Sequence, residues 1–441
     1  MIRERVNMWN AAKSQRTAKQ EPYSLPHLIG QFSQRIPINC LTHETGQQIA
    51  GWLAFESTGW VISDQSGRVE LGSAKSATFI EKLDESHGHW AVCSWNGSGW
   101  KLDWCESVGA VSPYREPNTS FHAQKLRFQV LRSVREFFWQ RHFTEVDTPV
   151  VVPCPGMETH LDPFWVSDKG LRTSPELHMK RLLAAGWDRI FQLAPSFRDE
   201  PVSTTHHPEF IMLEWYRTFA DLSALIEDIH ALLVHLAPLA QSLDYFSKPL
   251  ELLSIPDVFK SKTGIDLTSK SSFEAMQDFL RENHLTFEEK DDWDCLFFLI
   301  FLNFIEPDLG AECPTVLIDY PASQSALAKL NPFPIGAYKR CFRFELYCKG
   351  IELANAFYEL CDPVEQFKRF ETCNLERKAL GKRPYPIDDS FFRALETGMP
   401  PSAGIALGLE RLIMLLAAHP EQTSFNLQSI TPHNDYQRTQ P

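Results

Sequence analysis

The stretch RIFQLAPSFRDEPVSTTHHPEFIMLEWYRTF, residues 189–219, constrains the fold more than any other part of the chain. Two apolar-rich runs separated by a polar, proline-bearing interval predict strand, loop and strand. Side chains alternate between faces along a strand. Arg198 and Glu200 share one parity and end the first strand on one face, and Phe210, Met212, Glu214 and Tyr216 share one parity on the second. One sheet surface then carries an arginine, two carboxylates, an aromatic ring and a phenol. A sheet that only covers a core alternates apolar inward and polar outward. A face this mixed is costly to bury unless a ligand satisfies it. The plainer reading, a salt-bridged solvent face, has to accommodate Phe210 and Trp215 pointing opposite ways.

A second segment, RFELYCKGIELANAFYELCD at 343–362, predicts a hairpin turning at Lys349-Gly350. In that register Glu345 and Glu352 lie diagonally on one face, close enough to share a hard divalent cation with phosphate oxygens. Strict alternation puts Asn355, Phe357 and Glu359 on the other face from Glu352. A bulge near Leu353-Ala354 would bring all of them together, and one is expected there. The plainer reading is an exposed acidic hairpin. A third segment, PSAGIALGLERLIMLLAAH at 401–419, reads as a glycine-punctuated strand running into an amphipathic helix near Gly408. Arg411 falls in the first turn, where the helix dipole disfavours a cation, so an anionic ligand is expected nearby.

Around these segments, residues 120–142 have helical period, with Leu126, Val130, Val134 and Phe137 on one face beside Leu131 and Phe138. FTEVDTPVVVP predicts a strand ending in prolines, and Asp221 to about Phe304 reads as mainly helical. The expected division is a polar tail at 1–24, a small OB-like β-barrel at 25–113 and an α+β domain at 114–441. In the second of these, turn signals at 57–59, 65–67 and 96–99 separate short apolar strands. SPYREPNTS reads as a linker, and the chain beyond about Pro420 as polar and poorly ordered. No CxxC pair occurs among the ten cysteines, which argues against a zinc ribbon. Scattered thiols, no signal-like N-terminus and no apolar run near bilayer length predict a cytoplasmic protein with no membrane role. A net charge of −13 leans against non-specific nucleic-acid binding. The five basic groups in the first twenty residues (Arg3, Arg5, Lys13, Arg16, Lys19) read as a solvated tail.

In order, the three segments resemble motif 2, the metal hairpin and motif 3 of class II aminoacyl-tRNA synthetases, and TEVDTPVVV with Pro149 resembles motif 1, the dimer interface of that family. The resemblance spans residue 120 to about 418. It implies the class II catalytic domain, an antiparallel sheet flanked by helices, and a homodimer. TSPELHMKRLLAAG, MLEWYR, YPASQSALA and KGIELANAFYEL resemble the lysine branch, and most closely its truncated paralogues, the elongation factor P lysine ligases. Lysyl-tRNA synthetases usually have SPLA where Ser325-Ala326-Leu327-Ala328 stands, and glycine at Ala406. In the family that alanine goes with preference for β-lysine over α-lysine. The chain departs from the ligases in its N-terminal barrel, which resembles the anticodon-binding OB-fold and keeps tRNA as a possible partner. Trp52 and Trp60 could stack bases there but read better as core. It also departs in His207, where asparagine is usual, and in Ala356, where glycine is usual and which could narrow the amino-acid pocket.

The resemblance implies roles. Arg198 contacts the α-phosphate and the substrate carboxylate. Glu200 accepts from the adenine amine, Phe210 stacks on the ring, and Arg411 holds the γ-phosphate. His206 and His207 touch ATP or stabilise the loop. Glu345 and Glu352 bind Mg²⁺. Glu176 faces the amino group near the reacting end and Asn355 the carboxylate. Glu214, Tyr216 and Glu359 surround the ε-ammonium, with Phe357 on the methylenes and Ala406 in the substrate pocket. Buried cations need such partners. Adenylate formation from ATP needs charge neutralisation and positioning more than a proton acceptor. Three functions follow in order: a ligase acylating elongation factor P, a short lysyl-tRNA synthetase, and an inactive paralogue acting as a binding module.

Overall fold

The computed structural model describes residues 47–56, 59–63, 68–72, 89–95, 100–107 and 121–418. The tail at 1–24, the linker and the stretch beyond Pro420 fall outside these. The chain divides into two compact units, residues 1–115 and 116–441.

In the first unit, strands β1 (Gln48–Glu56), β2 (Gly59–Ser63), β3 (Arg68–Gly72), β4 (His89–Trp95) and β5 (Trp100–Ser107) form one antiparallel sheet in the order β3-β2-β1-β4-β5. The strands on either side of each of the three turn signals pair antiparallel. Ile49, Leu53, Ile62, Cys93 and Trp100 make its core. This is the small antiparallel module expected of an OB-like region. Trp52 and Trp60 lie on β1 and β2, with side chains outside the described atoms.

The second unit begins with α1 (Phe121–Gln140), followed by β6 (Thr144–Glu145), β7 (Val151–Val152), β8 (Trp165–Val166), β9 (Lys169–Leu171), α2 (Glu176–Ala184), β10 (Arg189–Phe197) and β11 (Glu209–Thr218). Next come α3 (Leu222–Leu236), α4 (Leu243–Ser247), β12 (Glu251–Ser254), α5 (Ile255–Thr263), α6 (Ser272–Glu282), α7 (Trp293–Ile300), β13 (Thr315–Ile318), β14 (Arg343–Cys348) and β15 (Ile351–Tyr358). The chain continues through α8 (Pro363–Ala379), α9 (Asp389–Gly398), β16 (Ser402–Gly408) and α10 (Leu409–Leu416). Eight strands form the main sheet in the order β12-β13-β14-β15-β16-β11-β10-β6. Its six central strands pair antiparallel, as expected, and each edge adds one parallel pair, β12 with β13 and β6 with β10. The strand expected from FTEVDTPVVVP is broken into β6 and β7, because prolines cannot donate to a ladder.

One face of the sheet is apolar. Phe191, Leu193, Leu213, Trp215, Ile405 and Leu407 pack there against α1, α3 and α10, with Val130, Val134 and Phe137 of α1 fully buried. Glu410 ties these elements together: one carboxylate oxygen accepts from Arg127 of α1 at 2.8 Å and the other from the Ile211 amide at 2.9 Å. One stretch, Leu222–Leu239, corrects the reading that no apolar run approaches bilayer length. Its length and composition would allow a span, but Leu225, Ile229, Leu232, Leu233 and Leu236 are fully buried in this core, and its Asp228 pairs with Arg217. It is a core helix. The nine described cysteines are all unpaired.

Candidate active site

The opposite face of the sheet carries polar and charged side chains, and strand register explains how they meet. Glu345 of β14 pairs with Asn355 of β15, Asn355 with Ala406 of β16, Ala406 with Glu214 of β11, and Glu214 with Gln192 of β10. The next row on the same face reads Arg343, Phe357, Gly404, Tyr216 and Ile190. Residues distant in sequence therefore stand in two short lines.

The hairpin turns at Lys349 and Gly350, both with positive φ (52° and 73°), the geometry of a tight two-residue turn. Beyond it the register shifts: Leu346 pairs with Ala354 but Tyr347 with Glu352, so Leu353 is an extra residue on β15. This is the bulge expected near Leu353-Ala354. It turns Glu352 onto the face of Asn355 and Phe357. Ala356 faces the other way, fully buried in the apolar core opposite Phe344 and Ile405, so it does not narrow the pocket.

A cavity of about 380 Å³ opens over this face, lined by Glu176, Arg198, Glu200, His206, His207, Phe210, Glu214, Glu352, Asn355, Phe357, Ala406 and Arg411. Glu345, Tyr216 and Glu359 are not part of the lining; they stand directly behind it. Tyr216 donates to Glu214 Oε2 at 3.0 Å, while Ser174 donates to Oε1 at 2.6 Å. Glu345 accepts from Tyr320 at 2.6 Å, from Tyr347 at 2.5 Å and from Arg343. Glu359 is 1% exposed, with Oε2 2.7 Å from the Lys180 ammonium.

β10 ends at Phe197, so Arg198 and Glu200 lie just past the strand, on the loop that begins the site. The Arg198 guanidinium sits 5.2 Å from the Phe210 ring centre, and its Nε is buried without a partner. Arg411, in the first turn of α10, donates to the Glu352 carbonyl at 2.7 Å and meets His206 Nε2 at 2.9 Å. These contacts account for a cation at a helix start. Because Nε2 accepts from a guanidinium, His206 is neutral, and burial together with Arg411 lowers its pKa. Its Nδ1 lies 3.1 Å from both Ser203 and Thr205 hydroxyls, and His207 Nδ1 lies 2.8 Å from the Glu209 carbonyl. Both histidines therefore shape the loop while facing the cavity.

The site is electrostatically loaded. Burial, reinforced by Glu176, pushes Glu214 up to about 8 despite its two hydroxyl donors. Burial and the neighbouring Glu176 raise Glu359 to about 7 against the lowering effect of Lys180. Burial and Glu345 raise Glu352, and burial with Glu352 and Glu345 raises Glu306 to about 7. Such clustered, strained carboxylates mark a site built to meet cations. Arg198 Nε and Asn355 Oδ1, of two cavity-lining residues, lack hydrogen-bond partners, and so do both carboxylate oxygens of Glu359 just behind them. Buried polar groups are normally satisfied, so their convergence on one cavity points to a polar ligand.

Sequence reasoning missed several residues here. Glu158 and Ser174 also line the cavity, Lys180 sits behind it, and Gly404 lets the Tyr216 ring and Glu359 carboxylate approach the β16 backbone where a Cβ would collide with both. Only TSPELHMKRLL, quoted for its wording, could have flagged Lys180.

Comparison with known proteins agrees with this architecture. The model of class II tRNA synthetases (D, K and N) matches residues 115–422. A Histophilus somni protein named elongation factor P–(R)-β-lysine ligase is 40% identical over 325 residues, 71% of this chain and 97% of that protein. Proteins of the same name from Mannheimia succiniciproducens and Vibrio cholerae are 39% and 40% identical over 309 and 311 residues, each covering 68% of this chain and 92% of theirs. With well over half of its length inside the family model, this chain belongs to the class II tRNA synthetases and is an ATP-dependent ligase.

Proposed function

We propose that this protein activates lysine or β-lysine with ATP and transfers it to a lysine side chain of elongation factor P. The identity of about 40% across nearly the whole length of ligases bearing that name carries the reading. A cavity lined by Glu176 and Glu214, with Glu359 directly behind them, supports a substrate with two ammonium groups.

In the first step a carboxylate oxygen of the amino acid attacks the α-phosphorus in line. The bond to the β-phosphate bridging oxygen breaks, and pyrophosphate leaves with the electron pair. Arg198 holds the α-phosphate and the attacking carboxylate together, which supplies the positioning such transfers need. Phe210 stacks on adenine, Glu200 accepts from its amine, and Arg411 holds the γ-phosphate with His206 and His207 ordering the loop. Glu176 meets the amino group near the reacting end and Asn355 the carboxylate. Glu214, Tyr216 and Glu359 hold the distal ammonium, with Phe357 along the methylenes and Ala406 closing the floor. In the second step the acceptor lysine's amine nitrogen attacks the adenylate carbonyl. The bond to AMP breaks, AMP leaves as anion, and the amine loses a proton.

Glu352 and Glu345 suit Mg²⁺. They are hard oxygen donors whose neighbourhood raises the Glu352 pKa, and Mg²⁺ is commonly held by one or two carboxylates together with phosphates. Bound there, the ion would neutralise phosphate charge. We place the protein in the cytoplasm as a homodimer through the motif 1 region, where Phe128, Trp139, Val150 and Val151 are exposed.

The N-terminal sheet favours a second reading. It lies outside the matched residues 115–422 and resembles a tRNA-binding module, so charging of tRNA is the competitor. One assay separates them: ATP, labelled lysine or β-lysine, purified elongation factor P and tRNA. Label on elongation factor P is expected. Label on tRNA alone would favour the competitor, and absence of pyrophosphate exchange would mark an inactive paralogue.

A further inference from the structure

Lys180 is 1% exposed and lies on α2 one turn after Glu176. Its ammonium is 2.5 Å from Glu176 Oε1 and 2.7 Å from Glu359 Oε2, bridging a cavity-lining carboxylate and one behind it. Isolated buried ammonium groups are very costly, so this one persists through its two partners. It takes one oxygen from each. Glu359 Oε2 is held by the Lys180 ion pair alone and Oε1 has no partner; neither makes a hydrogen bond, and Oε1 lies beside Gly404 and the Tyr216 ring.

We infer that Lys180 is a resident counter-ion and positioning residue that sets the charge of the amino-acid pocket for a substrate bearing two ammonium groups. The inference rests on the lysine-like substrate proposed above. With the site filled, the carboxylates of Glu176, Glu214 and Glu359 less the Lys180 cation leave two negative charges, matching two ammonium groups. The other charged groups around these carboxylates do not alter this balance: the buried Arg172, which acts on Glu214, is matched by Asp147. Glu158 faces Arg198, which is set against the substrate carboxylate and α-phosphate, while Tyr216 and the nearby Cys361 thiol are held neutral by burial. Burial by itself lowers the Lys180 pKa, but Glu176 and then Glu359 outweigh it and hold the ammonium above its usual range.

The test is amino-acid-dependent pyrophosphate exchange across pH for wild type, Lys180→Met and Lys180→Arg, with melting curves for each. Lys180→Met is expected to lower kcat/KM for the amino acid about tenfold or more at pH 7, through KM, and to move the acid limb of its pH profile up by about one unit. The KM for ATP should stay put. Lys180→Arg keeps the cation and should keep the acid limb in place. If methionine prevents folding while arginine allows it with an unmoved limb, the cation is again the requirement. A folded Lys180→Met with an unmoved limb, a Lys180→Arg whose limb shifts as if charge were lost, or failure of both variants to fold would overturn the inference in favour of packing alone. Wild type inert with both lysine and β-lysine would instead overturn the functional reading itself.

Discussion

Two rows cross the main sheet one residue apart and could hardly differ more. On one face run Glu345, Asn355, Ala406, Glu214 and Gln192; on the other run Leu346, Ala354, Leu407, Leu213 and Leu193. The second row is buried among aliphatic and aromatic side chains of α1, α3 and α10. The first carries Glu214, whose proton burial holds well above the ordinary carboxylate range. The same backbone ladder serves both, so the faces divide the work: one supplies folding free energy and the other carries the polar groups that a ligand must satisfy. Polar burial of this kind costs stability and is retained where function needs it.

The division can be broken from either side. On the proposed role, Arg198→Ala removes the cation that meets the reacting groups and should lower kcat in pyrophosphate exchange by about 10²–10³ or more. Its Nε has no protein partner, and Glu158 and Glu352, whose charges it offsets, can take up protons in its absence, so the melting temperature should stay near that of wild type. Leu213→Ala, whose side chain is fully buried on the other face, should cost about 2–5 kcal/mol in denaturant unfolding through lost burial and a residual cavity. Its kcat at temperatures where it stays folded should change little. Loss of stability in the first variant, or of turnover in the folded second, would dissolve the division.

Much of this contrast was legible beforehand. Parity placed Phe210, Met212, Glu214 and Tyr216 together because a strand admits only two faces. The bulge at Leu353 could be expected because Glu352 and Asn355 could not otherwise share a site. Lys180 was not legible: at helical spacing it reads as a solvated lysine, and its partner Glu359 lies on another element far along the chain. Gly404 read as punctuation, since its need for no side chain comes from Tyr216 and Glu359 crowding it in space. Parity alone carries the first strand on to Arg198 and Glu200, yet β10 stops at Phe197. Strand ends depend on which partner backbone is within reach, and the sequence does not state that.

A smaller probe sits at the seam between the faces. Gly404→Ala puts a methyl into the Tyr216 ring and the Glu359 carboxylate, a collision with little room to relax, and overpacking of this sort costs about 1–3 kcal/mol. The displaced groups belong to the chemical face, so the KM for the amino acid should rise by more than the melting curve falls. pH offers a gentler lever. Folded Glu214 keeps its proton up to about 8, whereas the unfolded chain loses it near the ordinary 4.5. Stability of the free protein should therefore decline as pH rises through that window, and amino-acid binding, which on the proposed role draws on the ionised form, should tighten and release a proton. Glu214→Gln should flatten both trends in melting and calorimetric titrations.

The mildest change is Ala406→Gly, at the centre of the chemical row between Asn355 and Glu214. It deletes one methyl from the cavity floor and leaves every charge and every core contact in place. A methyl-sized difference in a pocket discriminates by about 1–3 kcal/mol at most. The ratio of kcat/KM for lysine over β-lysine should therefore rise about tenfold, with the melting temperature nearly unchanged. The position of the amine relative to the carboxylate is all that separates the two isomers. A floor that fits one must crowd the other, whereas the distal ammonium pocket sees the same group in both. If the ratio does not move, discrimination lies with Glu176 and Asn355 rather than with the shape of the floor.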